Sequence, residues 1–180
     1  MINPWRKIKG RVIYENPWIK LEEHQVVNPS GGNSIYGKVF FKNKAVGVLP
    51  IDEHGNIILV GQYRYTIDEY SWEIPEGGSP QGENPLETAK RELQEETGFT
   101  AESWQFLCRL HTSNSVTDEE GFLYLAEDLT PGESSPEETE DITIRRVTAE
   151  EALAMVLNGE ITDSLSQIAI MHYFHRLNDL

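Results

Sequence analysis

The 180-residue sequence contains a single cysteine, Cys108, and no apolar run that approaches the roughly 18 residues of a membrane-spanning helix. One cysteine cannot form an internal disulfide, and its apolar flanks in "FLCRL" favour a buried structural thiol over a nucleophile. The first ten residues, "MINPWRKIKG", lack the apolar segment of a secretion signal. These absences predict a cytoplasmic protein of one domain that does not enter a membrane.

Basic residues are also scarce. Fifteen Lys and Arg residues stand against 30 Asp and Glu residues, which gives a formal net charge of −15. Long nucleic acids bind through neutralisation of their phosphates by Lys and Arg, so we expect no nucleic-acid partner. A small anionic substrate is compatible with this charge where cations bring it to the acidic surface. Most of the acidic residues need only keep the protein soluble.

The order of hydrophobic patterns predicts strands first, with helices interposed and appended. Strands are predicted on both sides of the turn at Asn16 and Pro17, and at "KAVGVLPI" and "NIILVGQYRY", which the hairpin-type connection "DEHGN" joins. The segment "SWEIPEGGSPQGE" predicts a short strand that runs into a Gly/Pro loop. Two helices are predicted near the C-terminus, the last with Leu165, Ile168, Ala169 and His172 at helical spacing. This order indicates the α+β class with a mixed sheet.

The segment "NPLETAKRELQEETG" predicts a further helix with well-marked ends. Asn84 suits the N-cap, Pro85 the first helical position, and Gly98 the left-handed residue that ends a helix. Its apolar residues, Leu86, Ala89 and Leu93, form one narrow stripe that faces the core.

Two glutamates of this helix, Glu92 and Glu96, lie together along one edge of that stripe, whereas Glu95 points toward solvent. Their spacing and their place near the helix C-terminus cost about 0.2–1 kcal/mol each through repulsion and the helix dipole. A salt-bridged surface would offer each glutamate a cation four residues later, as Arg91 does for Glu87. A hard divalent cation, which takes carboxylate oxygens, is the alternative. Residue types and spacing alone do not decide between a salt-bridged surface and a metal site.

The preceding loop, "IPEGGSPQGE", favours the metal site, because glycines allow close approach of the backbone to a ligand and Glu83 adds a carboxylate. Loop and helix together resemble the Nudix box, G-x5-E-x7-R-E-U-x-E-E-x-G-U, where U is bulky and apolar. The matching residues are Gly77, Glu83, Arg91, Glu92, Leu93, Glu95, Glu96, Gly98 and Phe99. The resemblance implies the Nudix fold, an α/β/α sandwich around a mixed β-sheet, preceded here by an N-terminal antiparallel β portion.

The same resemblance implies hydrolysis of a nucleoside diphosphate linked to another group, with bound Mg²⁺ or Mn²⁺. Glu92 and Glu96 would be the principal metal ligands, with Glu95 assisting and the Glu76 carbonyl adding one oxygen. Arg91 would orient the glutamates. The residues with a structural role in the motif would be Gly77, Glu83 and Gly98.

Other stretches, "GQYRY", "WEIPEGG", "EETEDITIRRV" and "GEITDSLS", resemble the ADP-ribose pyrophosphatases and related nucleoside diphosphate sugar hydrolases. By this resemblance Arg64 and Glu73 line the site, with Arg64 meeting phosphate or ribose. The acidic loop would supply Glu138 or Glu140 as metal ligand or general base, and Glu95 is a third candidate for the base. Without the resemblance, that loop is equally well a flexible acidic connector.

The resemblance assigns residues 1–43 to homodimerisation and the nucleoside pocket, and residues 44–180 to the Nudix domain. Aromatic residues of the first part could stack on a base, although core or interface roles are commoner; they are Trp5, Tyr14, Trp18 and Tyr36.

One departure from the family concerns specificity. ADP-ribose-specific members carry a proline in a "PSPG"-like loop, where this chain has "HTSNSVTDE". A broader nucleoside diphosphate sugar hydrolase, acting also on substrates such as GDP-mannose, is therefore expected. The alternatives are a nucleoside triphosphate pyrophosphohydrolase and a non-catalytic nucleotide-sugar sensor.

Overall fold

The structure, a computed structural model, describes residues 2–135 and 141–178. Within these ranges the chain forms ten strands and three helices. The strands are β1 Arg6–Glu15, β2 Ile19–Val27, β3 Asn33–Phe41, β4 Asn43–Pro50, β5 Ile57–Arg64, β6 Glu69–Glu73, β7 Glu76–Pro80, β8 Phe99–His111, β9 Glu120–Pro131 and β10 Thr143–Val147. The helices are α1 Pro85–Thr97, α2 Ala149–Leu157 and α3 Ser164–Asn178. In the described ranges no helix has both the length and the apolar character needed to cross a bilayer.

The first three strands form a separate antiparallel sheet in the order β1-β2-β3. Asn16 closes the first hairpin, because its side-chain oxygen accepts hydrogen bonds from the amides of Trp18 at 2.9 Å and Ile19 at 2.8 Å. Every residue of β1 is exposed. The predicted N-terminal antiparallel portion is confirmed.

The rest of the chain is built around a mixed sheet in the order β7-β4-β9-β8, in which β4 and β9 are parallel. Side chains alternate between the two faces of a strand, so β4 and β9 supply two cores. Val46, Val48, Tyr124 and Ala126 pack against Ala89 and Leu93 of α1. Leu49, Leu123 and Leu125 pack on the other side with α2, α3 and the smaller sheet β10-β5-β6. The predicted α/β/α sandwich is confirmed.

Two strand predictions need correction. The connection "DEHGN" does form a turn, since the Asp52 carboxylate accepts from the amides of His54 and Asn56. The strands it joins then enter different sheets and share only the Ile51–Ile57 bridge, because β7 and β9 already occupy both edges of β4. Likewise, Gly77 and Gly78 lie in β7 rather than in a loop, since pairing with β4 holds this segment extended.

The buried face of α3 also differs from the predicted one. Leu165 and Ala169 are buried as expected, but Ile168 and His172 are exposed. Residues on the adjacent face, Ser166, Ile170 and Tyr173, are buried instead. The helix is therefore rotated about its axis relative to the prediction, so that Ser166, Ile170 and Tyr173 take the places expected for Ile168 and His172.

Candidate active site

Helix α1 has the ends that the sequence predicts. The Asn84 side chain accepts a hydrogen bond from the Leu86 amide at 3.1 Å, and Gly98 adopts a φ of 75° at the other end. The register of this helix places Glu92 and Glu96 on its buried side, where they are only 8% and 2% exposed. Glu95 lies further toward solvent, as predicted.

Arg91 supplies the cation at this acidic helix. Glu87 pairs with Lys90 at 2.8 Å and not, as predicted, with Arg91. The Arg91 guanidinium instead contacts Glu92 at 2.8 Å and Glu95 at 2.7 Å, where two carboxylates compete for it. Burial lowers the pKa of Arg91, but these two carboxylates outweigh that effect and raise it above its usual value. Arg91 is therefore positively charged and fixes two glutamates.

Strand β7 passes directly over the two buried glutamates. A Cβ atom on Gly77 would overlap the Glu92 carboxyl group, so any larger residue would force that side chain or β7 to move. The next residue back, Glu76, donates its backbone N–H to Glu96 Oε2 at 3.2 Å. Adjacent residues of β7 thus hold both carboxylates in place.

A second acidic group surrounds Arg64. Its Nε donates to the two oxygens of the buried Glu73 at 2.9 and 3.0 Å, and its Nη2 donates to Glu76 Oε1 at 2.7 Å. The hydrogen bond to Glu73 raises the pKa of Arg64 against the effect of burial. Burial, followed by the charges of Asp163 and Glu73, raises the pKa of Glu76 well above its ordinary value.

Helix α3 supports the segment that carries these residues. Ser166, which is fully buried, accepts a hydrogen bond from the Ile74 amide at 2.9 Å. Asp163 in turn accepts from the Ser166 amide at 2.7 Å. The sequence analysis missed both residues, although an Asp ahead of a helical pattern is an N-cap signal that could have been used.

A cavity of about 480 Å³ opens beside Arg64 and Glu76. Trp18 and Phe41 of the N-terminal sheet form one wall, and Thr112 and Glu119 form another. Its remaining contacts are Asn43, Lys44, Ala45, Val46, Gly77, Gly78, Asp163, Ser164 and Leu165. The site therefore combines groups from the N-terminal sheet and from the sandwich.

The predicted substrate-binding residues are only partly brought together here. Arg64 and Trp18 line the cavity, and Glu73 lies behind Arg64. Tyr36 is not among the lining residues; its ring packs edge-on against Trp5, and its hydroxyl donates to the Ser115 carbonyl oxygen at 2.5 Å. Trp5 and Tyr14 are likewise exposed outside the cavity.

The acidic residues at this site fit a hard divalent cation. Three carboxylates, Glu73, Glu76 and Glu92, pair with the guanidinium groups of Arg64 and Arg91. Glu96 adds a fourth buried carboxylate, and Glu76 Oε2 is buried with no hydrogen-bond partner in the described ranges. Oxygen ligands of this kind are those that Mg²⁺ and similar ions take. Among residues 2–135 and 141–178, however, no three acidic, His or Cys side chains already converge as a complete metal site.

Glu138 and Glu140 lie outside the described residues. The chain that leads to them rests on the C-terminal end of α1, because the Ser135 amide donates to the Glu95 carbonyl at 2.9 Å. Gly98, which follows α1, also packs closely against this part of the chain, because a Cβ atom on it would lie only 2.8 Å from the Gly132 carbonyl oxygen.

Comparison with known proteins gives a consistent picture. Residues 41–165 match the NUDIX domain, and residues 5–39 match the nucleoside diphosphate sugar hydrolase N-terminal domain. The chain is 38% identical over 130 residues to the ADP-ribose pyrophosphatase of Bacillus subtilis, covering 71% of this chain and 70% of that protein. It is 35% identical over 168 residues to the ADP-ribose pyrophosphatase of Mycobacterium tuberculosis, covering 91% and 80%.

Two further similarities span nearly the whole chain. The methanol dehydrogenase activator of Bacillus methanolicus is 33% identical over 169 residues, covering 93% of this chain and 91% of that one. The crystal structure of an ADP compounds hydrolase superposes with a TM-score of 0.89 at 20% identity, over 99% of this chain and 97% of that chain, and so shares the fold. The chain belongs to the Nudix family and is a Nudix hydrolase.

Proposed function

We propose that this protein hydrolyses the pyrophosphate bond of nucleoside diphosphate sugars, releasing a nucleoside monophosphate and a sugar phosphate. The observation that carries the proposal is the buried pair Glu92 and Glu96, which contacts Glu76 and Gly77 of β7. These two residues of β7 line the same cavity as Arg64. The ADP-ribose pyrophosphatase relatives and the matched N-terminal domain support a nucleotide-sugar substrate. ADP-ribose is the first candidate, with GDP-mannose and other nucleotide sugars as further ones.

Glu92 and Glu96 would hold the divalent ion, Mg²⁺ or Mn²⁺, with Glu95 assisting and the Glu76 carbonyl adding one oxygen. When bound, such an ion neutralises diphosphate charge and lowers the pKa of a water molecule. Arg91 fixes Glu92 and Glu95 by its two ion pairs.

A carboxylate close to these glutamates takes the proton from the attacking water. Three residues are candidates for this general base: Glu95, Glu138 and Glu140. Glu140 is also a candidate metal ligand. The hydrogen bond from Ser135 to Glu95 supports the two later residues, because it brings the chain before them to the end of α1.

Arg64 acts in two ways in this proposal. It binds Glu73 and Glu76 with one guanidinium group, and that group is partly exposed and faces the cavity, where a phosphate or ribose can meet it. Trp18, which is 68% exposed on the cavity wall, offers an indole ring for stacking on the base. Tyr36 acts indirectly, through its hydrogen bond to Ser115. In the motif, Gly77, Glu83 and Gly98 keep structural roles.

Hydrolysis assays of candidate substrates, with and without divalent ions, test the proposed function. With Mg²⁺ or Mn²⁺, we expect ADP-ribose to yield AMP and ribose 5-phosphate, and EDTA to abolish the reaction. A nucleoside triphosphate pyrophosphohydrolase would instead release pyrophosphate from ATP, and a sensor would bind the nucleotide sugar without product. Product analysis by chromatography separates these outcomes, and absence of a monophosphate from every nucleotide sugar would contradict the proposal.

We also propose a homodimer, formed through the N-terminal portion 1–43, with residues 44–180 as the Nudix domain. Large apolar side chains are exposed on the N-terminal sheet, namely Trp5, Ile8, Val12, Ile13, Tyr14 and Ile35. Exposed apolar patches of this kind mark interfaces. Charge adds to the argument, because residues 1–43 hold seven of the 15 Lys and Arg residues but three of the 30 Asp and Glu residues. A basic sheet can therefore dock on the acidic remainder of a second copy.

Analytical ultracentrifugation tests the dimer. We expect the wild type to sediment as a dimer and Val12→Glu to shift it to the monomer, because a buried unpaired charge opposes association. Leu157→Glu, at a site that is 72% exposed on α2, is the matched control and should leave the dimer intact. A monomeric wild type contradicts this assignment.

The remaining expectations concern cellular context. The partner is a small nucleotide sugar rather than a nucleic acid or a membrane, in keeping with the net charge of −15. The single cysteine suits the reducing cytoplasm. Burial raises the pKa of the Cys108 thiol, which also argues against a nucleophilic role.

A further inference from the structure

Residues 112–119, the loop between β8 and β9, contain no proline. This 112–119 loop contributes Thr112 and Glu119 to the cavity. A loop without proline has more conformations to lose when it orders around a ligand. Its contacts with the N-terminal sheet show what restrains it instead.

The backbone of the 112–119 loop is hydrogen-bonded to β3. The Val39 amide donates to the Val116 carbonyl at 2.9 Å, and the Asp118 amide donates to the Val39 carbonyl at 3.2 Å. These bonds form a parallel bridge between Val39 and Thr117. Within the loop, the amides of residues 116 and 117 both donate to the Ser113 carbonyl, which closes a tight turn.

The side chain of Asp118 adds a second tie to the same strand. Its Oδ1 accepts a hydrogen bond from the Phe41 amide at 3.0 Å, and its Oδ2 pairs with Lys38 at 2.9 Å. Phe41 lies on the cavity wall, and so does Glu119, the next residue after Asp118. One carboxylate therefore joins the two walls of the cavity that come from different parts of the chain.

Thr112 and Glu119, the cavity residues at the two ends of the loop, can recognise the hydroxyl groups of a sugar. Thr112 donates its hydroxyl to the Glu119 carboxylate, so the two side chains present their oxygens as a pair. Glu119 retains acceptor positions, because a carboxylate offers about four lone-pair sites. Hydroxyl groups of ribose or hexose are the donors that such a carboxylate recognises.

We propose that Asp118 is a positioning residue for substrate recognition, which ties the 112–119 loop to β3 so that Glu119 and Thr112 meet the hydroxyl groups of the substrate's sugar. The proposal rests on the proposed function, since it concerns the sugar side of that same cavity. The Asp118 carboxylate adds its contacts with Phe41 and Lys38 to the bonds that Val39 and Tyr36 make with the same loop.

Steady-state kinetics with ADP-ribose test the proposal in Asp118→Ala and Asp118→Asn. We expect KM to rise about tenfold in Asp118→Ala, because a hydrogen bond to a charged group is lost, while kcat changes by less than about twofold. Asp118→Asn should recover most of the affinity, since its amide oxygen still accepts from the Phe41 amide. Lys38→Met should have a small effect, because an exposed ion pair contributes little.

Hydrogen exchange supplies a readout that does not depend on activity. In Asp118→Ala the amides of residues 112–119 should exchange faster than in the wild type, while those of α1 stay protected. A double-mutant cycle with Glu119→Ala should show less than additive effects on KM, because both substitutions remove the same contact. Thermal unfolding of each variant shows whether it has folded.

Four results would overturn the proposal: unchanged KM in Asp118→Ala, a loss confined to kcat, no recovery in Asp118→Asn, or additive effects in the cycle. Failure of the proposed function gives a different result, since the wild type would then hydrolyse no nucleotide sugar. In that case the exchange rates of the 112–119 loop still decide whether Asp118 ties it to β3.

Discussion

Replacement of Glu96 by glutamine should lower kcat on nucleotide sugars by about a hundredfold or more, the loss typical of a group that stabilises transition-state charge, while the protein stays folded. Glu96 is 2% exposed, and its Oε2 accepts the backbone N–H of Glu76. Glutamine has the same shape and keeps one acceptor oxygen, so the contact with β7 survives. The amide carries no charge and is a poorer ligand than a carboxylate for a hard cation.

Stability should respond to Glu96→Gln in the opposite sense to activity. Without divalent ions, the substitution removes one of several buried negative charges, so we expect an unchanged or higher Tm. Glu87→Gln is the matched control, because Glu87 lies on the exposed face of the same helix and pairs with Lys90. It should leave kcat unaltered. Near-normal turnover in Glu96→Gln at saturating Mg²⁺ would refute the assigned role.

The features that the sequence predicts well are those encoded by neighbouring residues. The ends of α1 follow from Asn84, Pro85 and Gly98, because caps act within one turn. The burial of Glu92 and Glu96 follows from their angle to the apolar stripe of the same helix. The Nudix box adds the identity of the site, since its spacing lies entirely within residues 77–99.

The features that the sequence does not predict depend on contacts between distant residues. Ser166 and Ile74 are 92 residues apart, and the carboxylate of Asp118 meets the Phe41 amide across 77 residues. Strand β7 exists because β4 pairs with it, although glycine disfavours strands. Arg91 turns from Glu87 to Glu92 and Glu95 because the carboxylates crowded at the end of α1 attract its charge more strongly.

Gly77→Ala should lower both stability and activity, because its new Cβ would overlap the Glu92 carboxyl group, which is buried and paired with Arg91. Either β7 or the helical side chain must then move, and overpacking of this kind costs about 1–3 kcal/mol. Displacement of Glu92, a proposed metal ligand, should also lower kcat by about a hundredfold, as loss of a well-placed charged group does. Measurements are the free energy of unfolding in urea and kcat with Mg²⁺.

Two controls separate this overlap from a general effect of alanine in a strand. Gly37→Ala, in β3, places its Cβ where no atom lies within 4 Å, so both quantities should stay close to wild type. Gly78→Ala meets only the end of the flexible Asn43 side chain, at 2.9 Å, and should have a mild effect. The double variant Gly77→Ala/Glu92→Asp shortens the glutamate and removes the overlap. It should regain stability but not activity, because the carboxylate is withdrawn from the ion; if it regains neither, the overlap with Glu92 is not the cause.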